Sequence, residues 1–228
     1  MDNLTAHNAA DYDQKVRGTL PFYDSIHAEV LRLVGVVKPE VLTWVDTGCG
    51  TGYLASTALA AFSQAHFTLA DPSEAMLAQA RARLAGVASS RVCILPAVDS
   101  AGLAAHVAPG SADVVSAIQC HHYLEPDGRL KALRSCRNIL KPGGLLVAFE
   151  NIAPRTPDGV RFGLRGWRSF LLAHGRTQAE ADKQLSRYGT EFLPITAEEH
   201  LAVLTTAGFS TVELFWFSQM QGGFYAIK

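Results

Sequence analysis

The chain has 228 residues, 48% of them hydrophobic, and its 20 basic and 21 acidic side chains leave a net charge of −1. That length suits a single large α/β domain with a sizeable core, and the near-neutral balance gives none of the basic excess of a nucleic-acid binder, so direct nucleic-acid binding is not expected. No uninterrupted apolar run reaches roughly 18 residues, so no membrane span is expected.

The four cysteines, Cys49, Cys93, Cys120 and Cys136, form no C-x-x-C pair. They read as reduced, buried thiols of a cytoplasmic protein rather than as a disulfide frame or a metal site. The first 18 residues are polar and weakly patterned. They lack a basic stretch followed by an apolar one, so no secretory signal is expected.

From Leu20 to Val37, apolar residues recur at helical spacing, and Pro39 closes that helix. Val41-Leu42-Thr43-Trp44-Val45 then reads as a strand buried on both faces. Asp46 ends it, and Gly48, Gly50 and Gly52 alternate with Thr47, Cys49 and Thr51 before a helical pattern begins at Tyr53. The local unit is therefore strand, glycine loop, helix.

Phe67–Ala70 is a second strand ending at Asp71, followed by a helix with Ser73 as N-cap and Met76, Leu77, Ala80 and Leu84 as its buried stripe. Val92–Leu95 is the third strand, 103–107 a short helical piece, Asp113–Ile118 the fourth strand and 130–140 a helix. Lys141-Pro142-Gly143-Gly144 reads as a tight break before a fifth strand, 145–149.

Residues 151–195 interrupt the rhythm with two helices, near 162–173 and 178–187, and read as a cap inserted in the domain. A helix over 198–207 and a sixth strand over 211–217 follow. Gly222-Gly223 reads as a turn into a seventh strand, 224–227. Two strands so close in sequence pair only as an antiparallel hairpin. The expectation is one Rossmann-like α/β domain over 1–228: a seven-stranded, mostly parallel sheet with the last strand antiparallel, helices on both faces, an N-terminal helical segment (1–38) and a small helical cap (151–195). Ligands of such sheets lie beyond the strands' carboxyl ends.

Two acids narrow the ligand. Asp71 stands 19 residues past Gly52, where an acid accepts the ribose hydroxyls of a nucleoside, or else caps the following helix. The glycines run G-x-G-x-G rather than G-x-G-x-x-G, and Asp46 at the loop entrance would repel a pyrophosphate. S-adenosylmethionine, with its sulfonium and ammonium, suits Asp46.

VDTGCGTG, LADPSEAML, SADVVSAIQCHHYL and ILKPGGLLVAFE, in that order over about 41–150, resemble the class I S-adenosylmethionine-dependent methyltransferases. The resemblance implies cofactor contacts by Asp46, Gly48, Cys49 and Gly50 in the loop and by Asp71, Pro72 and Met76 after the second strand. It adds Val98 and Asp99 beside the adenine, with Asp99 equally readable as a helix cap, and Gln119 with Cys120 near the methionine moiety. Tyr12 would fold over the cofactor or pack on the sheet. The activity implied is methyl transfer to a small-molecule acceptor with S-adenosylhomocysteine as product, by a homodimer joined through the insertion. A non-catalytic S-adenosylmethionine-binding subunit is a further reading.

The C-terminal half, including FLLAHG, ITAEEHLAVLTTAGF and GGFYAIK, and also Leu124-Glu125-Pro126, resembles the carboxy-S-adenosylmethionine synthases. Those enzymes need an arginine where this chain has Val203, and a valine cannot pair with a carboxylate; Arg187 or Arg165 is the candidate substitute. Methyl transfer needs alignment, and for some acceptors a base. His121 and His122 are the candidates, or else structural residues. Arg161, Arg165, Trp167 and Arg168 read either as acceptor contacts or as a solvated or intersubunit face.

Overall fold

The structure is a computed structural model that describes residues 7–228; the first six residues of the expected N-terminal segment lie outside the described residues. Its strands are β1 (Thr43–Thr47), β2 (His66–Ala70), β3 (Val92–Ile94), β4 (Ala112–Ile118), β5 (Leu140–Asn151), β6 (Thr211–Ser218) and β7 (Gln221–Ile227). The helices are α1 (Tyr12–Lys15), α2 (Tyr23–Val37), α3 (Tyr53–Ala61), α4 (Glu74–Arg83), α5 (Pro126–Ile139), α6 (Pro157–Ala173), α7 (Gln178–Leu185) and α8 (Ala197–Thr206).

The sheet order is β3-β2-β1-β4-β5-β7-β6. β1 to β5 pair parallel, and β7 runs antiparallel to both β5 and β6. The chain thus begins at the centre, winds outward to β3, then returns to β4 on the other side of β1. The crevice beyond β1 and β4 is the switch point where such sheets take ligands.

Strand alternation builds one core on each face. Trp44, Phe67, Val114 and Phe149 face α2 and α3, together with Ile26, Val30 and Ala58. Val45, Val115 and Leu146 face α5 and α8, together with Leu133, Ile139 and Leu204. Each central strand is covered on both sides, which is why β1, β4 and β5 read as continuous apolar runs.

Three local expectations are corrected. Gly222 and Gly223 lie inside β7, opposite Glu150 and Phe149. A Cβ at Gly223 would come within 2.6 Å of the Phe149 ring, so the glycine there makes room for a core aromatic. The turn itself falls at Gln219 and Met220, with Gln219 at φ 51°. The Lys141–Gly144 break is absorbed into β5: Ala112 pairs Leu140 while Val114 pairs Leu145, which leaves a bulge. Cys93 is exposed, because it sits on the outer edge strand β3 with its side chain turned from the core; all four cysteines are free thiols. Among the described residues no helix is long and apolar enough to cross a membrane.

The cap consists of α6 and α7 and has a small cluster of its own, Trp167, Leu171, Ala181 and Phe192, completed by Met220 from the β6–β7 turn. It is stitched to the N-terminal segment: the Trp167 indole N–H donates to the Thr19 carbonyl at 2.8 Å. Arg176 donates to the Lys15 carbonyl at 3.0 Å.

Candidate functional site

Three buried polar side chains organise the mouth of β1. The Trp44 indole N–H donates to Ser116 Oγ at 2.8 Å, and Ser116 in turn donates to Asp46 Oδ1 at 2.5 Å. Ser116 is therefore committed, and Asp46 is held in one orientation. Its other oxygen, Oδ2, is buried and has no hydrogen-bond partner. Burial, and less strongly the charge of Asp71, push the Asp46 carboxyl up to about 7 against the pull of Ser116.

The loop after β1 is shaped by contact. Gly48 and Gly50 both have positive φ, 63° and 53°. A Cβ on Gly48 would lie 2.4 Å from Cys120 Cβ, so the β1 and β4 loops approach here as closely as backbone allows. A Cβ on Gly50 would meet no atom within 4 Å. Gly50 faces a cavity of about 330 Å³.

Asp71 fixes that loop from below. Its Oδ2 accepts the Gly50 N–H at 2.8 Å and its Oδ1 accepts the Ser73 N–H at 2.9 Å. Ser73 is the N-cap of α4, accepting from the Met76 N–H. Asp71 thus ties the glycine loop to the start of α4 while still lining the cavity. Burial raises its pKa, opposed by the Ser73 and Gly50 N–H bonds. Each carboxylate oxygen retains a lone pair for a further donor.

The same cavity takes Tyr12, Pro72, Met76, Asp99, Gln119 and His121 on its wall. Asp99 also accepts the Gly102 N–H at 2.9 Å, so it caps the following helical turn while it lies on the cavity wall. Asp46 and Cys49 line a smaller adjoining cavity of about 40 Å³, shared with Tyr12, Gly48, Gly50 and Gln119. Val98 is off both walls and packs on the apolar cluster under the second face.

The two histidines part company. His121 reaches the cavity, and its Nε2 sits 2.8 Å from Ser100 Oγ, which contacts Thr47 Oγ1 at 2.8 Å. Burial lowers its pKa, so it is a neutral imidazole at pH 7. His122 lies off the main cavity, with both ring nitrogens engaged: Nδ1 with Glu150 Oε2 at 2.7 Å and Nε2 with Asn151 Nδ2 at 3.2 Å. The run continues from Asn151 Oδ1, which accepts from Gln221 Nε2, to Gln221 Oε1, which accepts from Gln119 Nε2 at 2.7 Å. Every side-chain donor of this run meets an acceptor if His122 carries its proton on Nδ1, facing the carboxylate. Cys120, His121 and Glu150 bring ligand-type atoms within 4.8 Å. Both Glu150 oxygens are nevertheless bound by N–H groups of His121 and His122.

Ser116, Ser100 and Glu150 were not singled out from the sequence. The available signals were Ser116, a polar residue in the middle of an apolar strand, and Glu150, an acid at the tip of another.

A protein-family profile described as a methyltransferase domain matches residues 45–146. The carboxy-S-adenosyl-L-methionine synthase of Methylococcus capsulatus is 26% identical over 96% of this chain and 90% of its own. A putative O-methyltransferase of Nostoc punctiforme superposes with a TM-score of 0.67 at 18% identity, over 96% of this chain and 60% of that one. PigF, solved with SAH, gives 0.69 at 19% identity, over 96% and 58%. The chain spans less than two thirds of either solved protein, and at these identities the two establish the fold.

Residues 45–146 carry a methyltransferase domain, set in the fold of the class I S-adenosylmethionine-dependent methyltransferases. The residues at its switch point fit the cofactor. A buried carboxylate oxygen without a partner, Asp46 Oδ2, is what a cationic ligand would satisfy. The Gly50 backbone leaves open space where a side chain would project, and two further acids, Asp71 and Asp99, line the cavity.

In the C-terminal part of the chain, Val203 packs against the α5–α8 apolar cluster and is not on the cavity wall. Of the two substitute arginines, Arg165 is exposed, whereas Arg187 is buried and borders two further cavities. Arg161 pairs with Asp158 and Arg168 with Asp182, while Trp167 is buried.

Proposed function

We propose that the protein transfers the methyl group of S-adenosylmethionine to a small-molecule acceptor, with S-adenosylhomocysteine as product. In this reading Asp46 and the Gly48–Gly50 loop take the methionine end, and Asp71 takes the ribose. Pro72, Met76 and Asp99 flank the adenine, while Tyr12 and Gln119 close over the reacting end. The observation that carries transfer, rather than binding alone, is a further cavity of about 60 Å³. It meets the first at Tyr12, Gln119 and Tyr123 and so gives an acceptor a place beside the donor.

The bound cofactor supplies an electrophilic methyl on a sulfonium: the acceptor's lone pair forms the new bond as the methyl–sulfur bond breaks and its electron pair returns to sulfur. The chain aligns the two partners and excludes water. Neutral His121, on the cavity wall, is the group placed to take a proton where the acceptor atom carries one.

The likeness to carboxy-S-adenosyl-L-methionine synthases over nearly the whole chain supports a second reading, in which the cofactor itself is carboxylated. Mass spectrometry of ligand carried through purification separates the two. Unmodified cofactor or S-adenosylhomocysteine, with labelled methyl appearing in a metabolite pool, supports transfer. A carboxylated sulfonium refutes it. We further propose a cytoplasmic protein, consistent with its free thiols, that forms a homodimer through the 151–195 cap, a point that light scattering of wild type and a cap-surface variant would decide.

A further inference from the structure

The small cavity beyond Tyr12 and Gln119 contains one formally charged side chain, Arg187, and no carboxylate among the described residues lining it. The Arg187 side chain is only 8% exposed. Its Nε donates to Glu191 Oε2 at 2.7 Å, and Glu191 faces outward with its side chain 61% exposed. Its guanidinium lies 5.6 Å from the Phe192 ring centre. It also bonds to the Tyr123 side chain and opposes the burial that raises the Tyr123 hydroxyl. Tyr123 lines the donor cavity as well, so Arg187 and the donor cavity share a wall residue. Trp167 completes an aromatic surround.

Arg187 also borders an outer cavity of about 540 Å³. Four cations line that vestibule, Lys15, Arg176, Lys183 and Arg187, against two carboxylates, Glu180 and Glu191. His7, at the junction of vestibule and inner cavity, registers the local field. Burial lowers its pKa to about 4, reinforced by Arg176, Lys15 and Arg187. A cationic, low-dielectric passage of this kind draws in anions. The inner cavity, at about 60 Å³, has room for a small group beside Arg187.

We propose that the methyl acceptor is a small carboxylic acid. Its carboxylate enters through the Lys15–Arg176–Lys183 vestibule and is held by Arg187. Its apolar body lies against Trp167, Phe192 and Tyr123, and its reacting atom is presented to the donor between Tyr12 and Gln119. The acid group is a handle and is not itself methylated. This inference rests on the methyl-transfer reading above.

The test uses the full chain saturated with S-adenosylhomocysteine. By calorimetry, 4-hydroxybenzoate and a set of small aliphatic and aromatic acids are each compared with their neutral amides, and 4-hydroxybenzoate is compared with phenyl phosphate. The expected result is that acids in the set bind about tenfold or more tighter than their amides, as loss of a charged hydrogen-bond pair implies. Arg187→Gln should abolish that preference while S-adenosylhomocysteine affinity stays within about threefold. Equal binding of acids and amides overturns the proposal, as does phenyl phosphate binding more tightly than 4-hydroxybenzoate. The acid–amide comparison needs no variant, so it stands even if Arg187→Gln misfolds. Failure of S-adenosylhomocysteine to bind wild type would instead overturn the methyl-transfer reading.

Discussion

Nδ1 of His122 lies 2.7 Å from Oε2 of Glu150, and both side chains are 1% exposed. The same carboxylate accepts the backbone N–H groups of His121 and His122 at 3.1 and 3.0 Å. Glu150 therefore fixes the loop after β4 and, through His122, Asn151 and Gln221, the carboxamide of Gln119. Burial would raise its pKa, but the His122 hydrogen bond, reinforced by the surrounding imidazoles of His122, His121 and His200, holds it below the ordinary value of 4.5. A depressed carboxylate stabilises above its unfolded pKa, and that contribution is lost as pH falls through the folded value. Glu150→Gln should cost about 1.5–3 kcal/mol at pH 7, the loss of hydrogen bonds to a charged acceptor. It should also flatten the acid limb of the stability curve below about pH 4.5. Urea unfolding at several pH values checks both; an unaltered curve would show that Glu150 does not anchor this loop.

Asp46 has the opposite sign. Its carboxyl rises from 3.8 to about 7, chiefly through burial. A raised carboxyl contributes stability fully below its unfolded pKa and loses it as pH climbs through the folded one. The ligand-free protein should weaken between about pH 4 and pH 7, by up to about 4 kcal/mol. Asp46→Asn, which keeps an acceptor for Ser116, should melt higher than wild type at pH 8 and no higher at pH 4. Binding of a cation favours the ionised form, so wild-type affinity for S-adenosylmethionine should rise from pH 6 to pH 8. In Asp46→Asn it should be weaker and insensitive to pH over that range. Scanning fluorimetry and calorimetry measure the two effects; a pH-independent wild-type affinity would falsify the assignment of Asp46.

The parts of this design that are periodic were legible in the sequence. The strands β1 to β5 and the glycine loop follow from apolar runs closed by Asp46 and Asp71, because a strand buried on both faces leaves no other pattern. Gly222-Gly223 misled for a physical reason: a glycine that makes room for Phe149 across a sheet looks, in one dimension, like a turn. Cys93 misled because a short apolar strand does not disclose that it lies at a sheet edge. The polar run from Glu150 to Gln119 joins residues 119–122, 150–151 and 221, so only tertiary pairing of β4, β5 and β7 assembles it. Arg187 was one of two arginines marked as alternatives, and only the cap's packing distinguishes it from exposed Arg165.

The two loop glycines should fail differently. Gly48→Ala drives a Cβ to 2.4 Å from Cys120 Cβ, so it should destabilise the fold as well as the site. Gly50→Val meets nothing within 4 Å and adds about 1–2 kcal/mol of left-handed strain, so it should fold. Its side chain then stands in the donor cavity, and cofactor affinity should disappear. Asp71→Ala should lower affinity by roughly 1–3 kcal/mol. Part of that loss comes through the released Gly50 N–H, so Asp71→Asn should lose less. Calorimetry on the folded variants tests the set; full affinity in Gly50→Val would contradict the loop's role.

Asp13 holds the N-terminal segment over the donor cavity. It accepts from Thr51 Oγ1 at 2.9 Å and pairs with Arg83, which also donates to the Thr51 carbonyl at 2.9 Å. Its neighbour Tyr12 is the aromatic that lines the donor, adjoining and inner cavities at once. The Asp13–Arg83 pair is partly solvated, with side chains 39% and 26% exposed, and such pairs contribute about 1 kcal/mol or less to global stability. Asp13→Ala should therefore leave the melting temperature nearly unchanged. The strap over the cavity, by contrast, should open more often: amide exchange across residues 9–18 should speed up, and S-adenosylhomocysteine should dissociate several-fold faster. Bound cofactor should suppress the extra exchange, because closure of Tyr12 and occupancy of the cavity stabilise the same arrangement. If exchange and dissociation both match wild type, Asp13 is an ordinary surface contact, and the segment is held by the cap contacts of Thr19 and Lys15 and by the Arg17–Asp24 pair.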